Sequence, residues 1–484
     1  MGERLSYPTR LCGLPTGTPS DDAAIWISRH RSALLSGHDR GTGHACLHHA
    51  SRCPAGGIRC AASPEILQFF LVDPADIRPM TMPPLRNIVA FVGENENGIL
   101  RQFSRDLMAL VEPDGYRGHV IDLHASGWPQ RLAEIARDGI VMAWGIAGIG
   151  AILESEGRNL WDTIKVPFVS VLADPPCALP RNHFIRAHYV ANAYVFEEWL
   201  RIQREFIRSP QYSTLINCVG LPSQPERDTI PWRDRPQRMA FIKTGGDPEA
   251  RRKDWATLPP RWRAILEDAA AVAVQRSTGD ITDIFLAACK EHGLSTEHRL
   301  EILFTLMQAL DLYVRECRMT SVVTAVLDLP VDIYGRGWEY LSHKATRARF
   351  HPAIDAAHLA SIYAATQFSL NTSPNISSGL HERVACGLDS RCCVVSDENA
   401  FMKKMLAHVP TFFGIDPNSP ELTDRLAQIY YDKTDYTDAT QVGVDLVSRQ
   451  FDGRTLMFSL LRIAEEMRSA DPLFSLLPEA LAFV

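Results

Sequence analysis

From about residue 85 onward, apolar residues come in short uninterrupted runs separated by amphipathic stretches. In "PPLRNIVAFVGENENG" the β-branched run Ile88 to Val92 is closed by Gly93 and Gly98. "ILRQFSRDLMALV" follows with apolar positions at helical spacing. Strand, turn and helix are predicted there. "GHVIDLH" (118–124), "IVMAWGIAGIG" (140–150) and "VPFVSVLADPP" (166–176) read as further strands, with the helical "WPQRLAEIARDG" after the first. Runs apolar on both faces and alternating with helices predict a parallel sheet covered on both sides by right-handed crossovers.

Between Val190 and Pro236 the pattern loosens. "VGLPSQPERDTIPWRDRPQ" is proline-rich and without period, which reads as an interdomain linker. A second alternation then starts with "MAFIKTGGDPE" (239–249), strand and glycine turn. A helical region over 260–318, the strand "VDIYGRGW" (331–338), the helix "DAAHLASIYAATQ" (355–367) and the strand "FSLNTSP" (368–374) follow. After these come a helix from about Leu380, the strand "CCVVSD" (392–397), a helix from Asn399, the strand "TFFGI" (411–415) and the closing amphipathic helix "GRTLMFSLLRIAEEM". The expected fold is α/β, with two Rossmann-like, doubly wound domains facing across a cleft, where open sheets bind ligands at their carboxyl ends. The expected boundaries are a poorly ordered extension over 1–84, domains over 85–230 and 236–450, and a helical segment over 451–484.

Composition changes this picture little. With 46% hydrophobic and 22% charged residues in 484, the chain is long enough for two cores. A net charge of −7 with basic residues scattered among acidic ones gives no global field for nucleic acid. No secretory or transmembrane run is seen, and a cytoplasmic protein is expected. The 11 cysteines, an odd number with several inside apolar runs, read as buried thiols. Cys46, Cys53 and Cys60 recur among His44, His48 and His49, but their spacing matches no common zinc knuckle. Gly2 and Ser6 stand at myristoylation spacing, too short a match to weigh.

Candidate chemistry gathers in "LNTSPNISSGLHERVACGL" (370–388). A strand ending near Asn371 enters a loop in which Gly379 permits close backbone approach, and a helix then begins. Unpaired N–H groups at such an entrance bind anions, with Arg383 or His381 as added partners. The alternative is a helix capped by Ser377 and Ser378, with Glu382 and Arg383 solvated. The turn Lys243, Thr244, Gly245, Gly246 offers a second phosphate clamp, or a turn with an exposed lysine. In "YGRGW", Gly335 and Gly337 let the backbone pass beneath a base or ribose flanked by Arg336 and Trp338, or else make a tight turn with Trp338 in the core.

These motifs in their order, over about residues 236–415, resemble the C-terminal half of group 1 glycosyltransferases of the spore-maturation (CgeB-like) kind. The resemblance implies a GT-B enzyme that moves a sugar from a nucleotide-diphosphate donor (UDP-, GDP- or dTDP-linked) to a glycan, protein or small-molecule acceptor. It implies no metal and no cofactor, an acceptor domain over 85–230 and a donor domain over 236–450. The donor motif falls on Asn371, Pro374, Gly379, His381, Glu382 and Arg383, with Lys243, Thr244, Gly245, Gly246, Gly335 and Arg336 beside it. Departures are Ser378 and Cys386, where relatives carry glutamates, and Arg391, where they carry glycine.

For inversion, a base is expected from the first domain: Asp174 before two prolines, Asp122 or His124 in "VIDLH", or Glu94 and Glu96 in "VGENENG". Retention would need none. Neither lobe shows a histidine cluster or D-x-D pattern, "SDEN" (396–399) being the nearest approach. Two rivals remain. A nicotinamide oxidoreductase would need a G-x-G-x-x-G after a strand with an acidic residue about 20 further on, to which the mid-domain "GIAGIG" comes nearest without matching, and a non-catalytic GT-B scaffold would bind a nucleotide or a protein.

Overall fold

The computed structural model describes residues 86–93, 98–209, 211–216, 230–295 and 300–474. The extension 1–84, with its Cys/His cluster and its Gly2/Ser6 pair, lies outside the described residues, as do Glu94 and Glu96.

The first sheet holds β1 (Arg86–Val92), β2 (Tyr116–Asp122), β3 (Ile140–Ile146), β4 (Phe168–Leu172), β5 (Val190–Tyr194) and β6 (Tyr212–Leu215). Its order is β2-β1-β3-β4-β5-β6, all parallel. The second holds β7 (Met239–Ile242), β8 (Val331–Tyr334), β9 (Arg349–His351), β10 (Phe368–Asn371), β11 (Cys393–Asp397) and β12 (Phe412–Ile415). It is likewise parallel, in the order β9-β8-β7-β10-β11-β12. Both are doubly wound orders with a switch point beside the first strand, so the two Rossmann-like domains expected of a GT-B chain are present. Apart from β5, β6 and β9, the strands are built from the predicted runs: β10 and β11 are buried at every position, which only an apolar or self-satisfied strand between two helical layers tolerates.

The helices used below are α1 (Ile99–Ala109), α2 (Glu197–Ile202), α3 (Leu300–Ala325), α4 (Glu382–Asp389) and α5 (Gly453–Phe474). Closing the chain, α5 buries Leu456, Met457, Leu460, Ile463, Ala464 and Met467, one helical face, and packs on β3, β4, β5 and α1 of the first domain. Tyr212 Oη donates to Glu466 at 2.9 Å and Arg454 to Asp114 at 2.7 Å across the same seam. The C-terminal segment thus returns to the first sheet after the second is complete.

The linker expected over 190–236 is corrected in its first part. "VANAY" is β5, fully buried, and α2 and β6 follow before the proline-rich stretch. The alternation was hidden because Ala191, Asn192 and Ala193 are small or polar, yet they sit mid-sheet, where large side chains from the flanking layers leave little room. β9 was also missed, having three residues and only one neighbour strand. Arg391, at the position expected to favour glycine, does take a left-handed φ of 58° in the turn before β11.

Candidate anion-binding crevice

Strand order in the second sheet reverses between β7 and β10, and the chain leaves both strands into the gap that this opens. Lys243 follows β7 and Thr372 follows β10. The Lys243 ammonium spans the gap, donating to Thr372 O at 2.6 Å and Thr372 Oγ1 at 3.2 Å. It has no carboxylate partner within ion-pair distance among the described residues. The guanidinium of Arg383, in the first turn of α4, has no partner among them either.

The electrostatics follow from this crowding. Burial, then the Arg383 and Arg315 charges, pull Lys243 down to about 7, against the attraction of Asp397 and Glu382. Asp397, at the end of β11, accepts from Ser373 N at 2.6 Å and Ser396 Oγ at 3.1 Å. Its Oδ2 has no partner among the described residues, and desolvation raises its pKa in spite of those bonds and of Arg318 and Lys243. His381 is the N-cap of α4, its Nδ1 accepting from Arg383 N at 3.2 Å. Burial first, then Arg383, Lys243 and Arg315, hold its pKa well below the usual imidazole range. The ring is therefore neutral, with its proton assigned to Nε2, which it offers as a donor. Glu382 Oε2 lies 3.1 Å from the same Nδ1, and with no proton there the two atoms are not an ion pair.

The first domain contributes Asp174, just beyond β4. Asp174 is exposed; what desolvation it has raises its pKa, with the Arg315 charge opposing and the Glu382 and Asp311 charges of α4 and α3 adding to it. The carboxyl ends of both sheets thus meet in one polar crevice. Among the described residues it gathers the cations Lys243, Arg315 and Arg383, with Arg318 buried behind them, and the carboxylates of Asp174, Asp311, Glu382 and Asp397.

The loop amides play another part than expected. Ser377 N donates to Glu198 Oε1 at 2.5 Å and Ser378 N to the same oxygen at 3.4 Å, while the Ser378 hydroxyl donates to Glu198 Oε2. Glu197 N donates back to Ser378 Oγ at 2.9 Å. Arg201 pairs with Asp280 and Asp283, both at 3.0 Å, and Asp280 N donates to Ser377 Oγ at 2.7 Å. The anion on these amides is a carboxylate of α2, and the loop is a clasp between the domains. Gly379 serves that clasp: a Cβ there would stand 2.5 Å from Phe196 Cδ1, so its smallness seats an aromatic ring. Gly379→Ala is expected to cost about 1–3 kcal/mol in overpacking. A denaturant midpoint equal to that of the unaltered protein would show that the ring is free to move.

The glycine turn behaves similarly. Lys243 N donates to Tyr334 O at 2.9 Å and Gly245 N to Arg336 O at 2.8 Å, extending the β7–β8 ladder past the strand ends. Gly335, at φ 147°, lies against the Lys243 carbonyl, which also accepts from Trp338 Nε1 at 2.9 Å. Trp338 is in the core. Of the turn expected as a clamp, then, it is the Lys243 side chain that faces the crevice, while Gly245 and Gly246 fit beneath Trp338 and Glu316 and Thr244 is exposed. Arg336 is exposed at its loop tip, and Asn371 is buried, donating to Ser396 Oγ at 3.0 Å. His124 is exposed beyond the edge strand β2, and its amide caps Asp122 at 2.9 Å. Sequence reasoning missed Glu198, Asp311 and Arg315. The last two had a legible signal, since "ALDLYVRECRM" places charges at helical spacing inside an otherwise apolar helix.

"GIAGIG" is not a dinucleotide turn: residues 147–152 form turns after β3 and open no helix. Among the described residues no group of three His, Cys, Asp or Glu side chains is arranged to hold a metal ion, and no helix is long and apolar enough to cross a membrane. A separate depression lined by Phe413, Ile429, Tyr431 and Lys433 opens on the outer strand β12, at the opposite end of the sheet order from β9 and beyond the crevice.

No family model matches the sequence, and no curated protein matches it. Among solved structures, sucrose-phosphate synthase from Thermosynechococcus elongatus is similar at 11% identity and a TM-score of 0.45, over 80% of this chain and 100% of that one. A glycosyltransferase from Rickettsia africae is similar at 10% identity and 0.41, over 79% and 98%. Anabaena Alr3699/HepE, solved in complex with UDP-glucose, is similar at 10% identity and 0.41, over 79% and 99%. At such identities the architecture stands on the strand orders of the two sheets.

Proposed function

We propose that this chain is a glycosyltransferase that takes a sugar from a nucleotide diphosphate, without a metal, and passes it to an acceptor held by the first domain. One observation carries this: Lys243 bridges the switch point of the second sheet, and among the described residues neither its ammonium nor the Arg383 guanidinium has an anionic partner within ion-pair distance. Cations at such a crevice stabilise a leaving diphosphate, and the neutral His381 adds a hydrogen-bond donor without adding charge. UDP-, GDP- and dTDP-linked sugars all present that diphosphate. The CgeB-like kind remains the family proposed, with a hexosyl donor and a role in glycan synthesis.

Asp174 is the proposed base. Of the candidates among the described residues, it is the one whose charge neighbours belong to the second domain; it is exposed, as an acceptor's approach requires, and its pKa is raised from the usual carboxylate value. Asp174→Asn is expected to lower transfer and donor hydrolysis by about 100-fold or more while leaving nucleoside-diphosphate affinity unchanged. Full activity in the variant would remove Asp174 from the mechanism and favour retention. A non-catalytic scaffold is the second possibility, favoured by the Ser378 hydroxyl being bound to Glu198 where relatives carry glutamate. Nucleotide binding without donor hydrolysis or transfer in any acceptor screen would establish it.

A further inference from the structure

Helix α3 carries Asp311, Arg315 and Arg318 at i, i+4 and i+7, on one side of an otherwise largely apolar helix. Asp311 and Arg318 are 5% and 2% exposed. Burying such charges costs several kcal/mol per ion, and apolar residues of similar size stabilise a fold as well or better. Their arrangement is a relay. Arg318 Nη1 donates to Asn375 Oδ1 at 2.6 Å and Asn375 Nδ2 donates to Asp311 Oδ1 at 2.8 Å, while Asp311 Oδ2 lies 2.9 Å from Arg315 Nε as an ion pair that is not aligned as a hydrogen bond. Asn375 belongs to the loop that leaves β10 at the switch point. Both Nη groups of Arg315 lack partners among the described residues.

We infer that Arg315 is a third anion-binding residue of the crevice, and that Asp311, Asn375 and Arg318 are its positioning residues, a buried chain that fixes one guanidinium beside Lys243 and Asp174. Asp311 meets the fork by charge on its Nε side alone, so the two Nη groups are left to grip a phosphate pair in the plane that suits bidentate recognition. The reach is supported by its charge acting on Lys243 and His381 in one domain and on Asp174 in the other. The residue therefore stands to join donor phosphates to the acceptor side. This inference rests on the crevice being a diphosphate site.

The test is binding of UDP, inorganic pyrophosphate and uridine to the full chain and its variants. Arg315→Ala is expected to weaken UDP and pyrophosphate by about 10- to 100-fold with uridine unchanged. Arg315→Lys, which keeps the charge without the fork, falls between. Asn375→Ala loses affinity for the two phosphates in the same sense, again sparing uridine, which a purely structural role would not do. Unchanged phosphate binding by Arg315→Ala, or equal loss of all three ligands, overturns the inference while the proposed function stands. If the unaltered protein binds neither UDP nor pyrophosphate, both fall.

Discussion

Lys243→Met flattens the pH dependence of nucleoside-diphosphate binding. With its pKa drawn down to about 7, Lys243 is charged below that pH and neutral above it, and only the charged form pairs with phosphate. Affinity in the unaltered protein should therefore be highest below pH 7 and fall as pH rises through 7, with proton uptake on binding where the lysine starts neutral. At pH 6 the variant is expected to bind about 10- to 100-fold more weakly, and above pH 8 the two should converge. Titration calorimetry in two buffers of different ionisation enthalpy reads both effects, and parallel pH profiles would mean that Lys243 does not meet the ligand. The sign for stability is opposite. A lysine whose folded pKa lies below its unfolded value binds fewer protons when folded, so its titration makes unfolding costlier as pH rises from about 7 towards 10.5.

Glu198→Ala unfastens the domains. The carboxylate accepts from two amides and a hydroxyl of the 377–378 loop, and its loss leaves those donors without their anion. Charge-assisted bonds of this kind contribute about 1.5–3 kcal/mol each, so the clasp should weaken by several-fold more than a surface ion pair would. Faster proteolysis within residues 374–381 and a lower unfolding midpoint are expected, with Glu198→Gln in between because the amide oxygen still accepts. Protection equal to the unaltered protein would show the clasp to be incidental.

The fold was legible where strands are apolar throughout. Ile88 to Val92, Phe168 to Leu172 and Cys393 to Val395 announce themselves because both faces are buried. β5 did not, because its alanines and Asn192 carry little hydrophobic signal and its burial is set by helices distant in sequence. The crevice was half legible. A lysine after the first strand and a His-Glu-Arg at a helix entrance lie in local motifs, so position 243 and positions 381–383 could be named. That Ser377 and Ser378 bind Glu198 could not, since the partners are some 180 residues apart and nothing local distinguishes a carboxylate side chain from a phosphate as the anion on an amide pair. Arg315 and Asp311 show in sequence as charges on an apolar helix, but which way that face turns is a matter of tertiary packing.

A crystal structure with bound UDP is the most direct measurement. The diphosphate is predicted beside Lys243 and Arg383 at the β7–β10 gap, with the Glu198 carboxylate still on the Ser377 and Ser378 amides. Phosphates seated on those amides with Glu198 displaced, or a nucleotide bound away from the gap, would contradict the account.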